Sequence, residues 1–253
     1  VRVTVLGSGT SFGVPMIGCR CRVCTSPDPR NRRTRSSIHV QVREDFAFLV
    51  DTSIDLRQQA LANDLRRVDA VFYTHTHSDH VNGLDELRSF NYLQGGPVTL
   101  ISRPDILDDI AARFAHCFAP PQEGAGVPQI QLHPIDGAFE WEGVAVTPIP
   151  VRHGILDILG WRFDSLAYVT DASEVPEESM RLLAGIDTLI VNALRHEPHP
   201  THMSLSQALA LSERLGARQT YFTHMCHDLD HAETNAALPP RAQLAHDGLV
   251  IDL

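Results

Sequence analysis

The sequence predicts a mixed α/β (α+β) domain in which sheets are covered by helices, and two observations carry that expectation. Strand-like segments come early as hairpins and later alternate with helical ones, a pattern that builds mixed sheets with helical cover. The 253 residues are 43% hydrophobic and 21% charged, enough apolar material for one sizeable core. We expect one domain over 1–253, with a cysteine-rich loop at about 18–36.

Residues 1–6 alternate apolar and polar side chains and read as an opening strand. Gly7-Ser8-Gly9-Thr10 then turns the chain into a long loop holding cysteines and arginines. Segments 38–42 and 46–50 read as a hairpin around Arg43-Glu44-Asp45, and 55–65 has helical spacing. The apolar run Val68-Asp69-Ala70-Val71-Phe72-Tyr73 is a buried strand. Helices are expected over 81–93 and 104–114, and a Pro- and Gly-rich loop over 119–128. Further strands are expected at 144–151, 160–163, 166–170 and 188–191. A helix follows over 204–215, opened by the capping box Ser204-Leu205-Ser206-Gln207. Segment 219–223 is expected to be the last buried strand before a C-terminal tail.

The net charge of −10 argues against a nucleic-acid polymer as partner. No stretch approaches a membrane span and no apolar run marks a secretory leader, so a cytoplasmic protein without a membrane partner is expected. Arg30, Arg32, Arg33 and Arg35 cluster in one loop, with Arg20 and Arg22 nearby. They form either a solvated loop that offsets the acidic surface or a rim that faces phosphate. The five cysteines are an odd number, which argues against a disulfide framework. Three of them, Cys19, Cys21 and Cys24, lie within six residues.

Near residue 75 the chain reads Thr74-His75-Thr76-His77-Ser78-Asp79-His80. Three histidines and an aspartate on the turn that ends a buried strand suit Zn, Mn or Fe better than Ca or Mg. The alternative is a polar turn with solvated histidines. Other strands end on ligand-type residues as well: Phe48-Leu49-Val50-Asp51, Ile149-Pro150-Val151-Arg152-His153, Ala167-Tyr168-Val169-Thr170-Asp171 and Tyr221-Phe222-Thr223-His224. Each alone reads as a cap or turn former. Their number and order make the case for one site.

In this order the residues resemble the metallo-β-lactamase superfamily across nearly the whole chain. The family pattern is an Asp, then H-x-H-x-D-H, then a His, an Asp and a His. The resemblance implies a four-layer αββα sandwich with a dinuclear centre holding two divalent ions, Zn or Mn. By that analogy His75, His77 and His153 bind one ion and Asp79, His80 and His224 the other. Asp171 bridges them, and Asp51 orients a ligand histidine from behind. Two ions about 3.5–4 Å apart hold a bridging hydroxide as nucleophile, which Asp79 helps to orient or deprotonate.

His202, just before the capped helix, is similar to the auxiliary histidine of the phosphodiesterase branch, which includes tRNase Z and PhnP. There it stabilises the phosphoryl oxygens or protonates the leaving group. His196 and His199 read as surface histidines. The loop Gly18-Cys19-Arg20-Cys21-Arg22-Val23-Cys24 and the arginines after it look like PhnP more than tRNase Z. In PhnP-like proteins three such cysteines and a late histidine, here His227, hold a structural zinc; Cys226 is an alternative fourth ligand. A tRNA-binding arm is missing, since only a short strand-turn-strand lies between His153 and Asp171.

The resemblance therefore implies a hydrolase acting on a small phosphodiester, a cyclic ribose phosphate or a 2′,3′-cyclic nucleotide. It implies a homodimer as well. The rival readings are tRNA 3′-processing, hydrolysis of a thioester or lactam by the same metal pair, and a metal- or nucleic-acid-binding protein.

Overall fold

The alternation in the first residues does produce a strand: β1 (Arg2–Gly7) buries every residue after Arg2. The computed structural model describes residues 1–119 and 126–253. It divides into two compact units, one of residues 1–6, 37–136 and 250–253, the other of residues 7–36 and 137–249.

In the first unit, β2 (Ser37–Arg43) and β3 (Phe46–Val50) form the expected antiparallel hairpin, with Ile38 opposite Val50 and an irregularity between Gln41 and Arg43. Then follow α1 (Leu56–Ala62), β4 (Ala70–Phe72), α2 (Ser78–Val81), a 3-10 turn Leu84–Glu86, and α3 (Leu87–Gln94). The expected helix over 81–93 is thus broken in two. Gly83 explains the break: a Cβ there would lie 2.0 Å from the carbonyl oxygen of Ser53. Only glycine permits that close backbone approach. The helix restarts at Leu87 and stops at Gly95, whose φ of +70° is a left-handed C-terminal cap.

Next come β5 (Val98–Ser102), α4 (Pro104–Arg113), a 3-10 turn Ala115–Cys117 and β6 (Ile130–Pro134). Strands β3 to β6 run parallel. Neither β5 nor β6 was expected. The edge strand β6 keeps most of its residues partly exposed and ends on a proline, which hides its strand character. Of the expected loop over 119–128, residues 120–125 lie outside the described residues.

The second unit begins with the long cysteine loop and continues with β7 (Phe139–Trp141), β8 (Val144–His153), β9 (Leu156–Phe163) and β10 (Leu166–Val169), all antiparallel. Then α5 (Glu177–Leu182), β11 (Thr188–Asn192), α6 (Leu205–Leu215), β12 (Gln219–Thr223), α7 (His231–Ala237) and β13 (Ala242–Leu244) complete it. Here the strands from β10 to β13 are parallel. The expected strand 160–163 is the second half of the eight-residue β9, which pairs with β8 up to His153 opposite Leu156. The connection between them is two residues long, as expected for a chain without an inserted arm.

The capping box at Ser204 is present. Its hydroxyl accepts from the Gln207 amide at 3.4 Å, and Gln207 Oε1 accepts from the Ser204 amide at 2.8 Å. The buried side of α6, Ala208 and Leu211, shares one core cluster with Leu189, Val191 and Phe222. The C-terminal region corrects the expected tail: after β12 come α7, β13 and β14 (Val250–Asp252), and β14 pairs antiparallel with β1. These elements are only three to seven residues long, too short for periodicity to register.

Each unit therefore carries one seven-stranded mixed sheet with helices, the α/β class expected. Among the described residues no helix is long and apolar enough to cross a membrane.

Candidate metal centre

In the first unit β3 and β4 run parallel in register, Val50 beside Phe72, so the residues that follow them emerge at the same sheet edge. Ligand-type groups at the carboxyl ends of parallel strands are where an open α/β sheet places its site. Asp51 follows β3, fully buried and with a left-handed φ of +63°. Its Oδ1 accepts from the Thr74 amide at 2.9 Å, and its Oδ2 from the Thr74 hydroxyl at 2.8 Å and from His80 Nδ1 at 2.7 Å. Burial pushes its carboxyl upward, and His80 and Thr74 pull against that.

The Thr74 hydroxyl spends its proton on Asp51, so at 2.9 Å from His75 Nδ1 it accepts the ring N–H. His75 and His80 thus both commit Nδ1 as donor and keep Nε2 as the acceptor nitrogen. The His75 ring lies 4.6 Å from that of His77 and 4.2 Å from that of His80, centroid to centroid. Asp79 Oδ2 lies 3.4 Å from His80 Nε2.

The second unit repeats this chemistry. His153, the last residue of β8, donates Nδ1–H to the carbonyl of Thr201 at 2.8 Å. His224 follows β12 and has its Nδ1 3.4 Å from the Ser36 hydroxyl, which donates to the carbonyl of Gly9. Here too Nε2 is left as the acceptor nitrogen. Asp171, after β10, takes the Thr170 hydroxyl on Oδ2, while its Oδ1 lies 3.2 Å from both His202 Nε2 and His224 Nε2. The His202 ring stacks on that of His224 at 4.9 Å and meets that of His153 at 4.7 Å. Its Nδ1 lies 2.8 Å from the Thr201 hydroxyl, and His199 Nδ1 is 3.4 Å beyond. A cavity of about 350 Å³ opens at His202 and His199, with Thr10, Phe12, Met16 and Arg195 also in its wall.

Asp51, Asp171 and His224 all adopt φ between +54° and +63°. A non-glycine residue in that region costs roughly 1–3 kcal/mol, and such strain gathers at functional sites. The remaining left-handed non-glycine residues among those described, Asp64, Glu142 and Asp164, stand in turns. The sharp turn lets a residue just past a strand aim its side chain across the sheet edge.

These donors fit divalent metal ions. Histidines whose Nδ1 is held by a carboxylate, hydroxyl or carbonyl present Nε2 with a fixed tautomer and direction, the arrangement metal-binding histidines use. Imidazole with carboxylate suits Zn and Mn.

The cysteine loop builds a second set. Cys19, Cys21 and Cys24 place Sγ at 3.2, 3.4 and 3.4 Å from His227 Nδ1. A tetrahedral Zn with Zn–S about 2.3 Å and Zn–N about 2.0 Å needs S···N edges of roughly 3.5 Å. The amides of Cys21, Cys24 and Met16 donate to Cys19, Cys21 and Cys24 sulfur at 3.4, 3.5 and 3.4 Å. The Cys24 amide is the main cause holding the Cys21 thiol down at about 6, while burial pushes Cys24 up to about 11. Cys226, the alternative fourth ligand, stands outside this set, and burial pushes its thiol up to about 11.

Arg20, Arg22, Arg30 and Arg32 are exposed, as the solvated-loop reading expects, and Arg33 departs from both sequence readings. Arg33 is buried, and its guanidinium donates to the carbonyls of Cys226 and Leu229 and to Asn31 Oδ1. Arg30 pairs with Asp28, Arg22 with Glu233, and Arg35 donates to the Ser11 carbonyl. Arg33 therefore braces the loop onto the segment that carries His224 and His227. Sequence reasoning also missed Thr74, Thr201 and Ser36, which fix the rings. Only Thr74, adjoining the motif, offered a signal.

Residues 47–225 match the β-lactamase superfamily domain. A solved diphosphatase of the PhnP family is 44% identical, with a TM-score of 0.91 over all of this chain and 97% of that one. Zn(2+)-bound PqqB from Methylobacterium extorquens is 25% identical, with a TM-score of 0.82 over the whole of both chains. A protein named octanoyltransferase from Porphyromonas gingivalis is 35% identical over 253 residues, 98% of this chain and 51% of that protein. The chain thus spans about half the length of that relative.

Proposed function

We propose that the chain, which belongs to the metallo-β-lactamase superfamily on its PhnP-like branch, is a metal-dependent hydrolase whose substrate is a small phosphodiester. In this reading His75, His77, Asp79 and His80 of the first unit and His153, Asp171 and His224 of the second would be the ligands of the divalent ions. Zinc is the first candidate, supported by the zinc-bound PqqB relative, and manganese the second. When bound, the ions supply Lewis acidity towards phosphoryl oxygens and bring the pKa of water to about 7. Cys19, Cys21, Cys24 and His227 hold a further, structural zinc.

The residues of the chain do the rest. Asp51 holds His80 directly and His75 through Thr74, so neither ring can turn away. Thr201 orients two histidines, His153 by its carbonyl and His202 by its hydroxyl. The observation that carries the phosphate reading is His202, which is outside the seven-ligand set yet lies 3.2 Å from the ligand carboxylate of Asp171. From there its Nε2 can hydrogen-bond a phosphoryl oxygen or give a proton to the leaving oxygen. The cavity beside it suits a compact ligand such as a cyclic ribose phosphate or a 2′,3′-cyclic nucleotide, and the PhnP-family diphosphatase supports phosphate chemistry.

A second reading is hydrolysis of an acyl thioester. Its support is the 35% identical relative named for octanoyl transfer. The deciding experiment offers protein reconstituted with Zn or Mn both bis(p-nitrophenyl) phosphate and an octanoyl thioester. Metal-dependent turnover of the phosphodiester is expected. Turnover of the thioester alone would replace the first reading with the second.

A further inference from the structure

A third group of metal-ligand side chains stands in the first unit, outside every residue assigned above. His116 Nε2 lies 2.8 Å from Asp85 Oδ1, and Cys117 Sγ lies 3.4 Å from that nitrogen and 3.7 Å from that oxygen. Imidazole, carboxylate and thiol thus converge on one point, each from a different residue type. We propose that Asp85, His116 and Cys117 form a peripheral, exchangeable site for one borderline-soft divalent cation of the zinc and cobalt class.

The spacing carries this. The 3.4 Å S···N separation is the one found in the cysteine cluster, between His227 and both Cys21 and Cys24. It is close to the edge of roughly 3.5 Å that a tetrahedral Zn ion needs. The S···O separation is of the same size. The N···O pair must open from hydrogen-bond length to roughly 3.3 Å. Both side chains in that pair are about half exposed, so a small rotation suffices.

The frame around the donors is fixed. Asp85 stands in the 3-10 turn Leu84–Glu86, whose Leu84 is fully buried and whose preceding Gly83 is jammed against Ser53. His116 and Cys117 belong to the turn Ala115–Cys117, where the Cys117 amide donates to the Phe114 carbonyl at 2.8 Å. The sulfur side is buried and the other two donors face solvent, which gives an ion a route in and leaves water as remaining ligand.

Charge supports the assignment. A thiolate and a carboxylate neutralise a dication, and binding releases the thiol proton. Burial, with Asp85 beside it, pushes the Cys117 thiol up to about 12, so this sulfur stays protonated until a cation takes the proton's place. An exposed Asp–His pair by itself contributes little to stability, about 0–1 kcal/mol. The site also adjoins the histidine motif: Arg113, at the end of α4, donates to the carbonyl of Thr76 at 2.6 Å. Occupancy would tie the turn after α4 to the turn after the motif.

The test uses the intact metalloprotein after passage over a weak chelator, which removes exchangeable ions and leaves tightly held ones. Cobalt(II) is then titrated in. The expected result is uptake of one equivalent with a near-ultraviolet thiolate-to-cobalt absorption, lost in both Cys117→Ser and His116→Ala. His116→Ala removes a half-exposed ring, so its melting temperature should stay at the parent value and separate lost ligation from misfolding. Absence of that absorption in the parent protein, or its persistence in Cys117→Ser, would overturn the site.

Discussion

The cysteine cluster and the histidine-rich strand ends are both candidate ligand sets on one chain, and they are braced in opposite ways. The cysteine set is supported by amides. Three backbone N–H groups point at its sulfurs, and its one imidazole faces all three thiols. Four donors of that kind make a closed tetrahedron with no position for a substrate. The histidine set is supported by side chains and a carbonyl. Asp51, Thr74, Thr201 and Ser36 occupy the Nδ1 atoms and direct Nε2 outward. Three of its members or braces sit on strained, left-handed backbone. A metal that only staples a loop needs the first arrangement. A metal that must meet a reactant needs ligands locked from behind.

That contrast can be broken by removing one part at a time. The largest effect is expected from Asp171→Ala. It deletes the carboxylate shared by His202 and His224, so turnover should fall below detection and metal analysis should show lost ions. Full metal content in this variant would contradict the ligand assignment. Asp51→Asn should act more gently. It leaves the ligands in place but weakens the grip on His80 and Thr74, with an expected loss of about 10–100-fold in metal affinity or activity. Isothermal titration of the apo-protein with zinc reads this directly, and parental affinity would show the brace to be idle.

Cys19→Ser addresses the other region. One zinc equivalent should be lost and the melting temperature should drop by roughly 6–12 °C, for a stability loss of about 3 kcal/mol in a chain of this size. Normal zinc content together with a parental melting temperature would sink the structural-zinc assignment.

Much of the candidate site was legible because several of its residues follow strands directly, where chain order preserves their spacing. Asp51, His153, Asp171 and His224 were found as strand ends, and each stands at or within two residues of a strand end. The braces were not legible. Thr201 serves His153 from 48 residues away and Ser36 serves His224 from 188, and no local pattern marks either. The same holds for Arg33, whose partners Cys226 and Leu229 are almost 200 residues distant. In the fold, the long amphipathic α6 was found with its capping box, whereas β13, β14 and α7 are too short for periodicity to show. The helix expected over 81–93 failed at Gly83, where a tertiary close approach to Ser53 overrides a helical pattern.

His202 carries the central claim, that a histidine 3.2 Å from Asp171 acts on the substrate and leaves metal binding to its neighbours. The most direct measurement is turnover of bis(p-nitrophenyl) phosphate by His202→Ala, with the metal content of the same sample determined alongside. The account predicts a fall in kcat of about 10²–10⁴ with metal content unchanged. Parental turnover at full metal content, or a loss of activity that merely tracks a loss of metal, would contradict it.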